Sequence, residues 1–176
     1  MAVKTRLALL LAVALSGAPF AACSAPADPG KETAEDLINV RPDDAAVEKA
    51  KAEARGSLGL FWSKFDGREA GVSRFSVKVG LPVKDGGVEH LWATPLSRDA
   101  EIVVVRLAND PVYIEDLEYG QEIEVAPALI SDWSYEKNGK LYGHFTTRAL
   151  MRTATPEQRA QVQDLLSPTP LEPQAK

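Results

Sequence analysis

Residues 73–82, with the sequence SRFSVKVGLP, decide the fold because their apolar side chains fall at every second position. Phe75, Val77, Val79 and Leu81 alternate with polar residues or glycine. Successive side chains of a β-strand point to opposite faces of a sheet, so this spacing predicts a strand with one buried face. The protein is therefore expected to contain a sheet that packs one side against an apolar layer.

Three further stretches have the pattern of strands in the same sheet. After a turn at residues 85–87 (DGG) come residues 88–94 (VEHLWAT) and 101–107 (EIVVVRL), and Gly120 precedes the alternating residues 121–125 (QEIEV). Short glycine-containing turns favour antiparallel pairing of consecutive strands. We expect these strands to form an antiparallel meander.

The last part of the sheet is predicted as a hairpin. Its arms are residues 132–136 and 140–147, and Asn138-Gly139 joins them. Asn-Gly is preferred in two-residue turns because both positions require a positive φ angle. With this hairpin the sheet is expected to have about five strands.

The second arm of the hairpin carries candidate ligands for an anion. If the strand continues beyond residue 147, His144, Thr146 and Arg148 alternate onto one face, with Phe145 and Thr147 on the other. The three donors would then form a cluster that suits an anionic group.

Helices flank the sheet. After Asp43 or Asp44, either of which is a suitable N-cap, apolar residues recur at three- and four-residue intervals up to Phe65. This spacing predicts an amphipathic helix. At the other end, residues 155–158 (TPEQ) combine an N-cap threonine, a proline at the first helical position and a capping-box glutamine. They predict a short helix that ends at about Leu166.

The predicted elements make one domain. Residues 44–166 contain the amphipathic helix, the antiparallel sheet and the short C-terminal helix, which is an α+β arrangement. Residues 167–176 contain three prolines and few apolar groups, so we expect a disordered tail there. The chain has 176 residues, of which 45% are hydrophobic and 26% charged, so it is long enough for one ordinary core but not for two.

The charge and the missing motifs exclude several classes of function. The formal net charge is -5 at pH 7, so the surface is not built to neutralise phosphates and we expect no nucleic-acid partner. No G-x-S-x-G, P-loop or G-x-G-x-x-G motif occurs, which removes the usual support for a serine hydrolase, a nucleotide hydrolase or a dinucleotide-binding protein. H-E-x-x-H, C-x-x-C and EF-hand spacings are also missing, and we expect no metal and no cofactor.

Residues 1–23 have the pattern of a bacterial export signal. Lys4 and Arg6 precede the apolar run LALLLAVAL, which is too short for a stable membrane-spanning helix. The small residues Ala21 and Ala22 directly precede Cys23, the only cysteine of the chain. This order is similar to the lipoprotein box, in which the signal is removed before a cysteine that carries lipid, although Phe20 stands where leucine is usual. We therefore predict a signal peptide over residues 1–22 and lipidation, including palmitate, at Cys23.

The alternative is a secreted protein that signal peptidase cuts near Ala22 or Ala25, with no role for Cys23. Lipidation is favoured because a lone thiol in an oxidising compartment is otherwise unexplained. The proline- and glycine-containing residues 23–43 would then form a flexible linker between the membrane and the domain. This predicts a membrane-anchored lipoprotein facing the periplasm, and Ser24 in place of an aspartate favours the outer membrane.

Five blocks along the chain resemble one known bacterial family. They are FSVKVGLP (75–82), VEHLW (88–92), GQEIEV (120–125), ISDWSY (130–135) and GHFTTRALM (143–151). In this order they are similar to the YegJ-like family, domain of unknown function 2314. The resemblance implies an α+β domain, often exported, without an assigned biochemical role. The family's motif positions in this chain are Glu89, His90, Trp92, Gly120, Asp132, Trp133, Thr147 and Arg148.

One hypothesis makes the protein a small hydrolase. His90 would be the general base, but Glu89 cannot orient it because neighbouring strand residues point to opposite faces. Asp132 is the best candidate to orient His90, since the adjacent Trp133 can shield it from water. Arg148 would stabilise an anion. These side chains would have to meet in one pocket.

The second hypothesis, which we favour, is a non-catalytic module that binds a protein or polymer of the cell envelope. The polar candidates are spread over several strands, and a strand histidine, an aspartate before tryptophan and a strand-end arginine usually have structural roles. Trp92, Trp133, Tyr135 and Tyr142 would form a binding hot spot if at least two of them are exposed together. The acidic charge favours a basic partner.

Overall fold

The computed structural model describes residues 45–84 and 86–173. Their helices are α1 (Ala45–Gly67), α2 (Phe145–Leu150) and α3 (Pro156–Gln163), and the strands are β1 (Val72–Pro82), β2 (Val88–Arg98), β3 (Val103–Leu107), β4 (Glu122–Val125), β5 (Ile130–Lys137) and β6 (Lys140–Gly143). This is the α+β arrangement that the sequence predicts. The predicted signal peptide, the lipidated Cys23 and the linker over residues 23–43 lie outside the described residues.

The strands form one antiparallel sheet in the order β4-β3-β2-β1-β5-β6. β1 to β4 are the expected meander, and β5 and β6 are the expected hairpin. After β4 the chain returns to β1, which therefore pairs with both β2 and β5 at the centre. The sheet has six strands rather than about five. β4 and β6 have only four residues each, and they overlap the predicted strands at residues 121–125 and 140–147.

α1 covers one face of the sheet with the apolar stripe that the sequence predicts. Its buried side chains are Val47, Ala50, Ala54, Phe61 and Trp62. The Phe61 ring lies 5.6 Å from the rings of both Phe75 and Trp133, measured between centroids. The indole nitrogen of Trp133 donates a hydrogen bond of 3.0 Å to the carbonyl oxygen of Ala54. Aromatic packing and one buried hydrogen bond thus join α1 to the centre of the sheet.

A β-bulge interrupts the pairing of β1 with β5. Lys78 pairs with Asp132 and Val79 with Ile130, which leaves Ser131 as an extra residue in β5. Two residues of β5 therefore oppose Lys78, and the strand bends at this point. The bulge brings both Ser131 and Asp132 into the buried region around Lys78.

The predicted turn at Asn138-Gly139 is present, but the second arm of the hairpin is shorter than predicted. β6 ends at Gly143, and residues 145–150 form α2 instead of continuing the strand. Gly143 and His144 have φ angles of 75° and 52°, in the left-handed region, which turns the chain out of the sheet. A side chain at Gly143 would also collide with the carbonyl oxygen of Trp133. The prediction that His144, Thr146 and Arg148 share a strand face is therefore wrong.

The C-terminal part contains two helices instead of the single one that was expected. The capping box of α3 is present: Thr155 Oγ1 accepts from Gln158 N, and Gln158 Oε1 accepts from Thr155 N. Residues 167–173 differ from the expected disordered tail. Pro170 O accepts a hydrogen bond of 2.8 Å from Gly143 N, and Glu172 pairs with Lys64 and Lys137. The segment is held by these polar contacts. The prediction of a disordered tail is based on its few apolar residues, which give no information about polar contacts.

Candidate functional site

Several of the motif residues lie on the sheet face that points away from α1. Lys78 pairs with both Trp92 and Asp132, and directly opposite residues share a face. The neighbouring pair Val77 and Trp133 belongs to the face that contacts α1. The residues that meet on the other face are called the polar cluster. They are Lys78, His90, Trp92, Ser131, Asp132, His144 and Thr146.

Asp132 is the centre of the polar cluster and is fully buried. One carboxylate oxygen accepts hydrogen bonds from Trp133 N at 2.8 Å and Phe145 N at 3.2 Å. The other accepts from Thr146 N at 2.8 Å and Thr146 Oγ1 at 2.7 Å. The N-cap residue of α2, His144, forms no capping hydrogen bond through its side chain. Asp132 therefore caps α2 from the neighbouring strand, where a negative charge suits the helix N-terminus.

Lys78 is a buried cation beside Asp132. Its ammonium nitrogen lies 5.0 Å from the centroid of the Trp92 ring and 3.4 Å from Thr146 Oγ1. Burial lowers the pKa of Lys78 to about 8, and the carboxylate of Asp132 opposes this effect. Burial likewise raises the pKa of Asp132, against the hydrogen bonds from Thr146 and the charge of Lys78. Each charge thus limits the desolvation cost of the other.

His90 is partly buried and contacts Ser131 rather than Asp132. His90 Nδ1 lies 3.0 Å from Ser131 Oγ, and Ser131 Oγ donates to the carbonyl oxygen of Lys78 at 3.2 Å. Because the hydroxyl hydrogen of Ser131 is used for that carbonyl, Ser131 Oγ can only accept from His90. We therefore assign the tautomer of His90 that carries a hydrogen on Nδ1 and donates it to Ser131 Oγ. Burial, together with the charges of Lys51 and Lys78, lowers the pKa of His90 to about 4. In this state His90 does not act as a base toward Ser131.

His144 closes the polar cluster from the connection between β6 and α2. Its ring lies 4.8 Å from the Trp92 ring, measured between centroids, and Nδ1 lies 3.2 Å from Thr147 Oγ1. Burial lowers the pKa of His144 to about 3, and the charges of Lys78 and Arg148 act in the same direction. His144 is therefore neutral at physiological pH.

Arg148 lies on α2 and holds neighbouring backbone together. Its guanidinium donates to Gly143 O at 2.8 Å, Ser167 O at 2.9 Å and Leu141 O at 3.3 Å. It also donates to Ser167 Oγ at 3.0 Å. All of these acceptors are neutral, and burial lowers the pKa of Arg148. The side chain ties β6 and α2 to the start of the C-terminal segment.

The three residues of the hydrolase hypothesis have separate partners. His90 forms a hydrogen bond with Ser131, and Arg148 donates to carbonyl groups. Asp132 accepts four hydrogen bonds, three of them from the start of α2 and one from Trp133 N. Among the residues that the structure describes, every buried side-chain nitrogen and oxygen has a hydrogen-bond partner. This geometry gives the hydrolase hypothesis no support, and that hypothesis stays a prediction.

The aromatic residues proposed as a hot spot are mostly buried. Trp92, Trp133 and Tyr135 are 6%, 1% and 2% exposed, and Tyr142 is only partly exposed and stacks on Tyr135. Trp92 also donates its backbone hydrogen to Asn109 Oδ1 at 2.9 Å. These four side chains therefore serve packing, and a binding surface has to be sought elsewhere.

Large apolar side chains are exposed on the loop between β3 and β4, residues 108–121, here called the acidic loop. Val112 is 76% and Tyr113 70% exposed. Glu89 determines the position of both, because its carboxylate accepts hydrogen bonds from Val112 N at 2.6 Å and Tyr113 N at 3.0 Å. Glu89 is thus a motif residue whose side chain contacts this exposed segment directly.

Sequence reasoning missed Val112 and Tyr113. The signal was two large apolar residues in a loop whose only charged residues are Asp110, Glu115, Asp116 and Glu118. Such a pair has no alternating or helical period, so pattern analysis gave it no role. The exposure of the two side chains is apparent only from the structure, in which Glu89 binds the backbone of Val112 and Tyr113.

Neither a metal site nor a membrane-spanning helix is found among residues 45–84 and 86–173. No three His, Cys, Asp or Glu side chains in these ranges are placed to hold an ion. None of the helices in the same ranges combines the length and apolar character needed to cross a bilayer.

The chain is similar to two curated bacterial proteins. It is 30% identical over 128 residues to the uncharacterized protein YegJ of Escherichia coli (strain K12), covering 72% of this chain and 81% of that protein. It is also 30% identical over 132 residues to a putative ankyrin repeat protein of Neisseria meningitidis serogroup B. That match covers 71% of this chain and 52% of the relative, so the chain spans about half of its length. No solved structure shows a significant match.

The matching region coincides with the described domain. The model of the family described as uncharacterized protein conserved in bacteria (DUF2314) matches residues 44–166, from the start of α1 to just beyond α3. This region includes the polar cluster, Arg148 and the acidic loop. The chain therefore belongs to the DUF2314 family, with YegJ as a curated relative.

Proposed function

We propose that this protein is an exported lipoprotein, anchored through Cys23, whose domain binds another envelope protein without catalysis. The binding surface is the acidic loop, with Val112 and Tyr113 at its centre. The observation that carries this proposal is the exposure of these two side chains, 76% and 70%, on a backbone that Glu89 holds in place.

The acidic loop is positioned before any partner arrives. Ile114 and Leu117 pack against the hydrophobic core, and Asp110 Oδ1 accepts a hydrogen bond of 3.1 Å from Tyr119 N. A binding loop that is already ordered loses less conformational entropy on association. Val112 and Tyr113 are thus presented in a fixed arrangement, and an aromatic side chain of this kind is a frequent hot-spot residue.

The charge of the acidic loop defines the chemistry of the partner. Asp110, Glu115, Asp116 and Glu118 surround the apolar pair in sequence, and no lysine or arginine lies within residues 108–121. Charge complementarity favours a protein with an apolar depression rimmed by lysine and arginine. Association with such a partner is expected to weaken as the salt concentration rises.

A non-catalytic role is supported by the state of the polar cluster. Asp132 is saturated with hydrogen bonds, and His90 and His144 have their pKa values lowered to about 4 and 3 by burial. An enzyme site instead presents groups whose protonation suits the reaction in an accessible pocket. The polar cluster builds the fold, and the candidate surface is the acidic loop, whose Val112 and Tyr113 are the most exposed large apolar residues of the described chain.

The test is cross-linking of the full-length protein in its own envelope, followed by mass spectrometry. Tyr113→Ser and Val112→Ser alter the proposed surface, and Leu60→Ser is the matched control because Leu60 is 53% exposed on α1. We expect one abundant partner with the wild type and Leu60→Ser, and its loss with Tyr113→Ser. Cys23→Ala is expected to move the protein from the membrane to the soluble fraction.

Two results would overturn the proposal. If Tyr113→Ser recovers as much of the partner as the wild type does, the acidic loop is not the binding surface. If Cys23→Ala stays in the membrane fraction, Cys23 is not the membrane anchor. If no partner is enriched in any form, a hydrolase screen with His90→Ala as the control becomes the appropriate experiment.

A further inference from the structure

A cleft of about 260 Å³ lies between α1 and α2, and no residue of the acidic loop is among its described lining residues. Its apolar lining comes from three parts of the chain: Ala46 and Ala50 on α1, Phe145 and Ala149 on α2, and Pro170 from the C-terminal segment. Ala50, Phe145 and Ala149 are buried and form the floor of the cleft, whereas Ala46 and Pro170 are partly exposed. The cleft therefore has a floor that suits a short hydrocarbon group.

The same cleft carries an excess of positive charge. Lys49, Arg148 and Arg152 line it, and Glu53 is the only carboxylate among its described lining residues. Glu53 lies 3.8 Å from Lys49, in an exposed ion pair of the kind that contributes little. The two arginines have no carboxylate counterpart among these lining residues.

Arg148 has more side-chain hydrogen bonds than the other cations of the cleft. It is partly buried, and its hydrogen bonds to Gly143, Leu141 and Ser167 all end on neutral oxygen atoms. Of the five N–H groups of a guanidinium, these bonds use four and leave one on Nη1. A half-desolvated cation of this type is stabilised when an anion approaches it.

We propose that the cleft binds a small amphipathic organic anion, a carboxylate with a short apolar tail. The carboxylate is held by Arg148, Arg152 and Lys49, and the tail lies on Ala50, Ala149 and Phe145. The volume accommodates on the order of ten non-hydrogen atoms, since it is below the range for drug-sized ligands. This binding is separate from the acidic loop and does not depend on the proposed protein partner.

The experiment is an NMR titration of the Cys23→Ala protein, which is expected in the soluble fraction, with sodium octanoate in buffer without detergent. Octanol and octylammonium, which share the tail but lack the negative charge, are the chemical controls. We expect octanoate to shift the amide signals of Ala50 and Ala149 in a saturable manner. Octanol and octylammonium are expected to bind at least an order of magnitude more weakly.

Variants locate the charge that is responsible. Arg152→Gln and Lys49→Gln remove exposed cations of the cleft, and each is expected to weaken octanoate binding on the order of tenfold. Arg106→Gln is the matched control, because Arg106 is an exposed cation on β3 that does not line the cleft. Arg148 is left intact because it holds β6 and the C-terminal segment together.

The outcomes separate clearly. Saturable octanoate binding that Arg152→Gln weakens and Arg106→Gln leaves unchanged supports the site. The site is overturned if octanol binds as tightly as octanoate, or if octanoate binding does not saturate. It is also overturned if Arg152→Gln and Arg106→Gln weaken octanoate binding equally. Octanoate binding by Tyr113→Ser is expected to equal that of the wild type, so failure of the protein-binding proposal and failure of this one are distinguishable.

Discussion

The polar cluster and the acidic loop use charged residues in opposite ways. In the polar cluster, Asp132 and Lys78 are buried, and their hydrogen-bonding groups are directed at backbone and neighbouring side chains. Next to the acidic loop, the buried carboxylate of Glu89 on β2 accepts hydrogen bonds from two backbone N–H groups of the loop, those of Val112 and Tyr113, whose side chains face solvent. The first arrangement stabilises a buried part of the fold, and the second holds two large apolar side chains exposed to solvent.

This difference shows that a motif position is not the same as a functional surface. Glu89 and Asp132 are both carboxylates that accept backbone hydrogen bonds, but the segment held by Asp132 is itself buried whereas the segment held by Glu89 is exposed. The role of each carboxylate therefore depends on whether the residues whose N–H groups it binds have exposed or buried side chains. Substitutions at these sites can therefore separate stability from binding.

The largest effect is expected from Asp132→Ala. The change leaves the N–H groups of Trp133, Phe145 and Thr146 without their acceptor and removes the countercharge of the buried Lys78. Breaking a buried pair of this kind costs about 3–5 kcal/mol of the free energy of unfolding. Urea denaturation followed by circular dichroism measures it.

The control for this substitution is Asp116→Ala in the acidic loop. Asp116 is exposed and lies 3.8 Å from Lys84, so its loss is expected to change the free energy of unfolding by less than about 0.5 kcal/mol. A loss below about 1 kcal/mol for Asp132→Ala would contradict the role of Asp132 as the cap of α2.

The second effect concerns the turn that ends β6. Gly143→Ala places a methyl group against the carbonyl oxygen of Trp133 at a φ angle of 75°, so both packing and backbone conformation oppose it. We expect a loss of about 2–4 kcal/mol in the free energy of unfolding. Gly139→Ala has a similar φ angle of 71° but open space around it, and is expected to cost about 1 kcal/mol. Equal losses in thermal or urea unfolding would remove the packing argument.

The sequence predicted the elements whose signals are local. The alternation from Phe75 to Leu81, the Asn138-Gly139 turn and the Thr155 capping box each depend on residues close in the chain, and all three are present. The limits of β6 were wrong because two consecutive left-handed residues, Gly143 and His144, end it. The spacing of apolar residues in the sequence does not indicate this change from strand to helix.

The candidate site was less predictable because its contacts join distant parts of the chain. The cap of α2 comes from Asp132, which lies 14 residues before Thr146. The exposure of Tyr113 depends on Glu89, which is 24 residues away in the sequence. An alternating pattern also assigns Lys78 to a solvated face, and only the packing of Trp92 and α2 reveals that it is buried.

A third, pH-dependent effect distinguishes the polar cluster from exposed groups. Burial lowers the pKa of His144 to about 3 from its ordinary value of 6.5, so the unfolded chain binds a proton in this range more readily than the folded chain does. Stability from neutral His144 is therefore complete above pH 6.5 and is lost as the pH falls toward 3. Between pH 7 and 5 this loss amounts to about 1 kcal/mol after allowance for partial exposure.

The variant that tests this effect is His144→Asn, since asparagine tolerates the left-handed conformation and keeps a polar side chain beside Thr147. Urea denaturation at several pH values is expected to show a shallower loss of stability for the variant than for the wild type. Lys78 and Arg148 are unchanged and stay protonated over most of this range. Parallel curves for the two proteins would contradict the assignment.

The smallest effect on stability, and the most informative for binding, is expected from Glu89→Gln. The amide keeps one acceptor oxygen but directs an NH2 group at one of the two N–H donors of Val112 and Tyr113. The free energy of unfolding is expected to fall by only about 1 kcal/mol. Local opening of the acidic loop becomes easier, so hydrogen exchange at Val112 and Tyr113 is expected to accelerate by roughly tenfold, while β1 amides keep their protection.

The same variant separates presentation from composition. Glu89→Gln leaves every exposed side chain of the acidic loop in place, whereas Tyr113→Ser removes one of them. If a fixed backbone is required, Glu89→Gln weakens the partner complex without altering the residues that touch the partner. Asp116→Asn is the control for the lost charge, because it removes a carboxylate of the loop and no backbone contact of Val112 or Tyr113. Unchanged hydrogen exchange in Glu89→Gln would show that the packing of Ile114 and Leu117, together with the other hydrogen bonds of the loop, holds it without Glu89.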